Sequence, residues 1–321
     1  MNILFIADPL ASFKIYKDTT FAMMREAQKR GHQLFVCEPH HLVWQSGQTV
    51  NAQVQQVHLT GHPDAWFEVH GVHADRALHG FDAVVMRKDP PFDSEYFYAT
   101  HLLEQAEREG AKVFNKPSAL RDHPEKLAIL EFAQFISPTL VTRDAQAIRA
   151  FHAVHRDIIL KPLDGMGGMG IYRVKADGLN LGSVIETLNR HGTTSVMVQR
   201  FVPEIAQGDK RVLLIDGVAV PYALARIPQG QEVRGNLAAG GKGVAQPLSE
   251  RDQQIAQALG PGLAAKGLLL VGLDIIGSCL TEVNVTSPTC FREITDQTGL
   301  DVAALFIDAL EQRVAKPMLG H

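Results

Sequence analysis

Three side chains with oxygen donors, Asp274, Glu282 and Asn284, lie close together in the sequence. Glu282 and Asn284 are two positions apart and would share one face of a strand. If the chain reverses about Ser278 through a turn with an odd number of residues, such as 277–279, Asp274 pairs with Glu282 and joins that face. Oxygen ligands without His or Cys suit Mg²⁺. The alternative is a hairpin with a solvated polar face. The apolar residues around these acids weigh against it, because acids beside a core need a partner.

A second candidate site begins at Lys161, which ends an apolar run and is followed by a glycine-rich turn. Glycines let backbone N–H groups approach phosphate oxygens, and the lysine adds positive charge. Gly165, Gly167 and Gly170 match the dinucleotide pattern G-x-G-x-x-G, which requires a helix after the turn. Because 171–174 predicts a strand, we reject a nicotinamide dehydrogenase and predict a flap over phosphates. The alternative is a lysine that ends a strand and faces water.

Arginines follow in the next part of the chain. The dipeptide 216–217 is Asp-Gly, a strong hairpin signal, and it would bring Arg211 and Arg226 together. Arg234 lies in the glycine-rich segment 227–243, which has no periodicity and contains four consecutive small residues at 238–241. Such a segment buries too little apolar surface to offset its ordering entropy. We therefore predict that it is mobile in the free protein and closes over bound substrates, which would bring Arg234 to the reacting groups.

Arg87 directly follows a predicted buried strand at 83–86. Ligands of open α/β sheets bind beyond the carboxyl ends of the strands, and a guanidinium suits a substrate carboxylate. The alternative is a surface ion pair with Asp89 or Asp93.

The overall composition narrows the class of protein. The chain has 321 residues, enough for two or three domains, and its net charge of −4 predicts no affinity for nucleic acid or anionic membranes. Three widely spaced cysteines form neither a disulfide framework nor a zinc pattern, which indicates a reducing cytoplasm. We expect neither a signal peptide nor a transmembrane helix.

The opening of the chain predicts a strand, a helix and a strand, and hence an α/β domain with a parallel sheet that ends near residue 121. Asp18 is predicted to cap the first helix and Thr142 the helix 145–155. Lys126 is predicted to lie in a short helix opened by Asp122 and Pro124. A possible capping box starts the helix at 249, and the segment 43–72 stays uninterpreted.

The chain resembles the prokaryotic glutathione synthetases among the ATP-grasp ligases, nearly from end to end. The resemblance rests on the strings MRKDPPFD, ILKPLDGMGG, GDKRVL, ARIPQG, RGNLAAGGKG, VGLDIIG and TEVNVTSPTC, in that order. It implies a fold that is α/β and α+β, with a Rossmann-like pre-ATP-grasp domain at 1–121 and a two-subdomain ATP-grasp fold. The subdomains would be a lid at 122–199 and a C-terminal subdomain at 200–316 that carries the mobile loop 227–243.

The resemblance also implies that the ATP phosphates contact Lys126, Lys161, Gly165, Gly167 and Gly168, and that the adenine edge and the nucleotide side contact Gln199, Val202 and Asp209. It implies that the metal is held by Asp274, Glu282 and Asn284, and that the reacting phosphate contacts Arg211, Arg226 and Arg234. The substrates would contact Arg87, Arg226, Arg234, Ser287 and Thr289. Residues 200 and 201 match the family less well, so adenine packing is expected to differ there.

The reaction implied is the ATP-dependent joining of γ-glutamylcysteine and glycine through an acyl phosphate, with Mg²⁺ or Mn²⁺ as the metal. The resemblance further implies a cytoplasmic homotetramer. Two alternatives stay open. One is another ATP-grasp ligase with a different amino-acid or peptide substrate, and the other is a nucleotide-binding regulatory module without catalysis.

Overall fold

The computed structural model describes residues 1–230, 232, 234–237 and 240–316. Its first part is a seven-stranded sheet, here called the N-terminal sheet, with the order β3-β4-β2-β1-β6-β7 and with β5 beside β4. The strands are β1 (Asn2–Ile6), β2 (Gln33–Cys37), β3 (Leu42–Val43), β4 (Asn51–Leu59), β5 (Phe67–Ala77), β6 (Ala83–Met86) and β7 (Val113–Phe114). The helices are α1 (Thr19–Lys29), α2 (Ser94–Arg108) and α3 (Pro117–Asp122). Strands β1, β2, β6 and β7 run parallel, as predicted.

Local signals account for much of this part. The Asp18 carboxylate accepts a 2.7 Å hydrogen bond from the backbone N–H of Phe21, so the predicted cap of α1 is confirmed. The uninterpreted segment 43–72 contributes to β4 and β5, a long antiparallel pair. Only part of β4 alternates between buried and exposed residues, and this irregular pattern explains why the sequence was ambiguous there.

The prediction that Lys126 lies in a helix is wrong. Helix α3 ends at Asp122, and a run of 3₁₀ turns covers Leu127–Phe135. His123 has φ −121° and ψ 66°, which is not helical, because the ring of Pro124 disfavours a helical conformation in the residue before it. Lys126 therefore lies in the link between the two helical segments.

A four-stranded antiparallel sheet, here called the middle sheet, follows with the order β10-β9-β11-β8. Its elements are β8 (Thr139–Thr142), α4 (Ala145–His155), β9 (Ile158–Pro162), β10 (Tyr172–Val174), α5 (Leu181–Asn189) and β11 (Val196–Arg200). The strand predicted after the glycines is confirmed as β10. The cap of α4 is Asp144 and not Thr142, because the carboxylate of Asp144 accepts from the N–H of Gln146. Thr142 instead accepts from the N–H of Asp144.

The last part contains a five-stranded antiparallel sheet, here called the C-terminal sheet, with the order β14-β13-β12-β15-β16. Its elements are β12 (Asp209–Ile215), β13 (Val218–Ile227), β14 (Lys242–Pro247), α6 (Glu250–Ala265), β15 (Leu270–Ile276), β16 (Cys279–Asn284), α7 (Phe291–Thr298) and α8 (Val302–Ala315). The hairpin at 216–217 and the capping box of Ser249 are confirmed. Helix α7 was not predicted. Shorter 3₁₀ segments lie at Leu10–Ser12, Pro39–His41, Leu78–Gly80 and Pro203–Gln207.

In the hairpin of β15 and β16, Asp274 pairs with Glu282 as predicted, but the turn differs from the predicted one. Its turn contains two residues, Gly277 and Ser278, so the prediction of an odd number of turn residues is wrong. A two-residue turn alone would place Asp274 and Glu282 on opposite faces. A β-bulge shifts the register between Asp274 and Ile275, leaves Thr281 as the extra residue and restores the pairing of Asp274 with Glu282.

The hydrophobic cores show how the three sheets are joined. One cluster combines Leu4 and Ile6 of β1 with Leu273 of β15, and a second combines Phe5 with Phe306 of α8. The N-terminal and C-terminal sheets therefore share their cores. The middle sheet has a further cluster of eight buried residues from β9–β11, α4 and α5, while Met197 of β11 is buried in the first cluster. Within the described residues, no helix is long and apolar enough to cross a membrane.

Candidate functional site

A cavity of about 310 Å³ lies between the middle and C-terminal sheets. It is lined by all but one of the predicted site residues: Lys126, Lys161, Gly165, Gly167, Gly168, Gln199, Val202, Asp209, Arg211, Arg226, Arg234, Asp274, Glu282, Asn284, Ser287 and Thr289. Arg87 is the exception. Residues from distant parts of the chain therefore converge on one cavity.

A buried cluster of charges forms the floor of the cavity on the C-terminal sheet. The two carboxylate oxygens of Asp274 accept from Arg211 at 2.5 Å (Nε) and 3.1 Å (Nη2), and Nη2 of Arg226 lies 2.8 Å from Oδ2. The strand register explains this, because Arg211 on β12 pairs directly with Asp274 on β15. Burial alone would raise the pKa of Asp274, but the two guanidinium groups outweigh burial and hold that pKa well below its usual value.

Asp209 is the fourth charged residue of this cluster, and one of its two carboxylate oxygens accepts no hydrogen bond from the described residues. Its Oδ2 lies 2.5 Å from Nη2 of Arg226, while its buried Oδ1 has no hydrogen-bond partner among the described residues. Burial raises the pKa of Asp209 to about 6, against the opposing effect of Arg226. A buried, unbonded oxygen at a cavity wall indicates a place where a ligand donor would bind.

Two lysines face this cluster. Lys126 donates to the backbone carbonyl of Gly165 and to Oε1 of Glu282 at 3.1 Å, so it links the glycine-rich turn to β16. Lys161 donates to the carbonyl of Thr281 at 3.2 Å and has no carboxylate within ion-pair distance among the described residues. Burial lowers the pKa of Lys161 to about 8, with nearby Glu282 acting in the opposite direction. The lysine is therefore still charged at neutral pH and available to an anion.

The predicted metal ligands are oxygen donors that lie together on β15 and β16. Asp274 and Glu282 are directly opposed across β15 and β16, and Asn284 is the next residue on that face. The amide nitrogen of Asn284 donates to the carbonyl of Gly272 at 3.1 Å, and the described residues make no hydrogen bond to its oxygen. No group of three His, Cys, Asp or Glu that could hold a metal was found in the described ranges, as expected for a set with two carboxylates and one amide. This donor set fits Mg²⁺ or Mn²⁺, provided that Asp274 shares its oxygens with the arginines.

Part of the predicted lid is described, and it bridges the two walls of the cavity. Arg234 donates to the carbonyl of Gly168 at 3.2 Å and pairs with Glu232 at 2.5 Å. The ends of the segment belong to the sheet, since Ile227 lies in β13 and Lys242 in β14. Its small residues 238 and 239 lie outside the described residues. Closure over substrates stays a prediction.

Arg87 is buried away from the cavity lining. Its Nε donates to Oγ1 of Thr20 at 3.1 Å, and its Nη2 donates to the carbonyl of Pro288 at 3.0 Å. Pro288 lies between Ser287 and Thr289, which do line the cavity. The contacts of Arg87 therefore hold the segment that carries these two residues, and its predicted contact with substrate stays a prediction.

The predicted adenine end lies on β11 and the residues after it. Gln199 donates from Nε2 to Oγ1 of Thr139 at 3.0 Å, which orients its amide at the cavity edge. The guanidinium of Arg173 lies 3.5 Å from the ring centre of Phe201, and Arg173 also makes a bidentate pair with Asp157. Phe201 is thus held in place by a cation–π contact from β10.

Glu125 and Thr286 are among the polar residues that line the cavity and that the sequence analysis did not single out. Oε1 of Glu125 accepts three hydrogen bonds from Val285 and Thr286. Burial and the nearby charge of Glu282 raise the pKa of Glu125, and these hydrogen bonds oppose the shift. The sequence signal was its position directly before Lys126. The sequence pattern of that stretch indicates only a helix start.

Comparison with solved structures identifies the fold. The chain is similar to D-cycloserine synthetase DcsG, with a TM-score of 0.67, 17% identity and coverage of 98% of this chain and 100% of the other. It is also similar to the ATP-grasp ligase PsnB complexed with minimal precursor, Mg and ADP, with a TM-score of 0.62, 20% identity and coverage of 98% of each chain. The fold is therefore that of the ATP-grasp ligases.

Sequence comparison identifies the family within that class. The family model "Prokaryotic glutathione synthetase, N-terminal domain" matches residues 1–121, and "Prokaryotic glutathione synthetase, ATP-grasp domain" matches 125–299. A glutathione synthetase of Ralstonia nicotianae is 62% identical over 100% of this chain and 98% of its own length. One of Nitrosomonas europaea is 57% identical over 98% and 99%. The chain belongs to the prokaryotic glutathione synthetase family, and the resemblance in the sequence is confirmed.

Proposed function

We propose that this chain is a glutathione synthetase, which joins γ-glutamylcysteine to glycine and converts ATP to ADP and phosphate. One observation carries the proposal beyond family membership. A glycine-rich turn with two lysines faces a buried cluster of arginines and carboxylates across a single cavity. This arrangement suits the transfer of a phosphoryl group between two bound anions.

The chemistry has two steps. A cysteinyl carboxylate oxygen of the dipeptide attacks the γ-phosphorus of ATP, the bond to the bridging oxygen breaks, and ADP leaves. The glycine amine then attacks the carbonyl carbon of the acyl phosphate, loses a proton and displaces phosphate. The protein contributes positioning and charge neutralisation, and it needs no nucleophilic side chain of its own.

The nucleotide would bind mainly to the middle sheet. Lys161 and Lys126, with the backbone N–H groups of the glycines at 165, 167 and 168, would hold the phosphates. Gln199 and the backbone near Val202 would contact adenine. The unbonded Oδ1 of Asp209 supports a role for that residue on the nucleotide side.

The C-terminal sheet would hold the reacting groups. Arg211 and Arg226, held in place by Asp274 and Asp209, would face the developing charge of the acyl phosphate, and Arg234 would approach from the segment 227–243. Ser287 and Thr289 would contact the peptide or glycine, and Arg87 would act on them through Pro288. Mg²⁺ or Mn²⁺ on Asp274, Glu282 and Asn284 would offset the phosphate charges.

We further propose that the protein acts as a homotetramer in the cytoplasm, in keeping with its family. Small molecules are the expected partners, namely ATP, the dipeptide and glycine.

A phosphate-release assay with each substrate omitted in turn tests the function. We expect phosphate and ADP in equal amounts when ATP, magnesium, γ-glutamylcysteine and glycine are all present, with tripeptide detected by mass spectrometry. Full turnover with a different amino acid or dipeptide would identify another ATP-grasp ligase. ATP binding without phosphate release from the complete mixture would identify a regulatory module. A Glu131→Gln variant, altered at a surface ion pair with Lys266, serves as the control for purification and folding.

A further inference from the structure

Glu125 makes a set of hydrogen bonds that is concentrated on one short segment. Its Oε1 accepts from the backbone N–H of Val285 at 3.0 Å, from the backbone N–H of Thr286 at 3.1 Å and from the Thr286 hydroxyl at 2.7 Å. Its own backbone carbonyl accepts from the N–H of Val283 at 2.9 Å. A single residue thus bonds to three of four consecutive residues.

The hydrogen bonds to Glu125 satisfy backbone N–H groups that the sheet itself leaves without an acceptor. Strand β16 lies at the edge of the C-terminal sheet, so among the described residues β15 is its single strand partner and its outer N–H groups have none. Glu125 supplies the acceptors instead, from the link that follows α3. The bonds to Val283 and Val285 bracket Asn284 and follow directly after Glu282.

The same segment continues into the proposed substrate contacts. Thr286 is 3% exposed and is followed by Ser287. Lys126, the next residue after Glu125, holds Glu282 itself. The pair at 125–126 therefore fixes both the backbone of β16 and one of its carboxylates.

We propose that Glu125 is a positioning residue that accepts hydrogen bonds from 283–286 and thereby sets the geometry of the metal ligands and of Ser287. This inference rests on the proposed function, because it assigns Glu282 and Asn284 to the metal. Glu125 acts through its oxygen as an acceptor and not through its charge.

The first experiment separates these two properties. Glu125→Gln keeps an oxygen that can accept the three bonds and removes the charge, whereas Glu125→Met has a similar shape and only a weakly accepting sulfur. In the ligand-free protein we expect amide hydrogen exchange at Val285 and Thr286 to stay protected in Glu125→Gln and to accelerate about tenfold or more in Glu125→Met. Equal protection in both variants would overturn the proposal. Because no substrate is present, this result does not depend on the proposed function.

The second experiment measures the consequence for the metal. We expect the magnesium concentration for half-maximal turnover to rise about tenfold in Glu125→Met and to stay within about threefold in Glu125→Gln. If Glu125→Gln is impaired as strongly as Glu125→Met, the charge is required and the positioning role is overturned. Ile307→Val, a change in the buried core of α8, controls for stability and should leave the magnesium requirement unchanged.

A third variant pair covers the case in which Glu125→Met fails to fold. Thr286→Val removes one donor to Glu125, and Thr286→Ser keeps it. We expect Thr286→Val to raise the magnesium requirement about threefold and Thr286→Ser to leave it near the wild-type value. Identical values in both variants would overturn the proposal. Wild-type protein that makes no tripeptide would overturn the proposed function and leave the exchange result standing.

Discussion

The two walls of the cavity hold their charges in different ways. On the C-terminal sheet, Asp274 is 2% exposed and its oxygens are bonded to Arg211 and Arg226, so this wall is neutralised and ordered before any ligand binds. On the middle sheet, Lys161 has a backbone carbonyl as its partner, and the adjacent turn is rich in glycine. We infer that the first wall is preorganised for the reaction and that the second adapts to the nucleotide.

The cores support this contrast. The C-terminal sheet shares its hydrophobic clusters with the N-terminal sheet, and Asn115 joins them through hydrogen bonds to Leu270 and Val285. Most of the middle sheet's buried residues form their own cluster, and Met197 of β11 belongs to the first shared cluster. A part that keeps most of its core to itself can move more easily than parts whose cores are shared, because separating shared cores exposes apolar surface.

The largest effect is expected on the preorganised wall. Asp274→Asn would leave the buried Arg211 without a carboxylate partner among the described residues and Arg226 with Asp209 alone, and we expect a loss of about 3–5 kcal/mol in the free energy of unfolding. Urea denaturation measures it. Asp216→Asn, which alters a more exposed ion pair with Arg313, should cost no more than about 1 kcal/mol. Similar losses in the free energy of unfolding for the two variants would contradict the inference that this wall is preorganised.

A substitution at Glu282 is expected to reduce activity clearly and to lower stability less than Asp274→Asn does. Its side chain is 20% exposed and pairs with Lys126. Glu282→Gln should reduce turnover about 10–100-fold at ordinary magnesium, because an anionic ligand becomes neutral, while stability changes by less than about 1 kcal/mol. Excess magnesium should restore part of the activity. A folded variant with normal turnover would remove Glu282 from the metal site.

On the adaptable wall, the expected effect concerns nucleotide affinity. Lys161→Ala should weaken ATP binding by about 1.5–3 kcal/mol in calorimetry. The pKa of Lys161 is lowered to about 8, so the lysine is charged below that pH and loses its charge above it. ATP affinity of the wild type should therefore fall as the pH rises through 8, and Lys161→Ala should lack this dependence. Lys175→Ala, at an exposed residue of the same region, is the control.

Much of this arrangement could be predicted from the sequence, and the exceptions have physical reasons. The hairpin at 216–217, the strand after the glycines and the family itself were predicted and confirmed. The pairing of Asp274 with Glu282 was predicted with the wrong turn, because a bulge at Thr281 depends on contacts that periodicity does not contain. Glu125 was missed because its partners are about 160 positions away, and distant hydrogen bonds leave no local pattern.

The smallest expected effect concerns Arg234, which connects the two walls through its bond to the carbonyl of Gly168. That bond joins the glycine-rich turn to the segment 227–243, and Glu232 is the only carboxylate that pairs with Arg234 among the described residues. We expect trypsin to cut the free protein at Arg234 or Lys242, and ATP with magnesium and dipeptide to slow this cleavage several-fold by holding the segment 227–243 closed.

Cleavage at the exposed Arg190, which directly follows helix α5 and does not line the cavity, provides the internal reference, since its rate should not respond to ligands. Replacing the segment by a short Gly-Ser linker should leave ATP binding largely intact and abolish tripeptide formation, while uncoupled ATP hydrolysis persists because water then reaches the acyl phosphate. If the linker variant makes tripeptide normally and ligands do not change the cleavage rate, the segment does not close over the site. The adaptable wall would then consist of the glycine-rich turn alone.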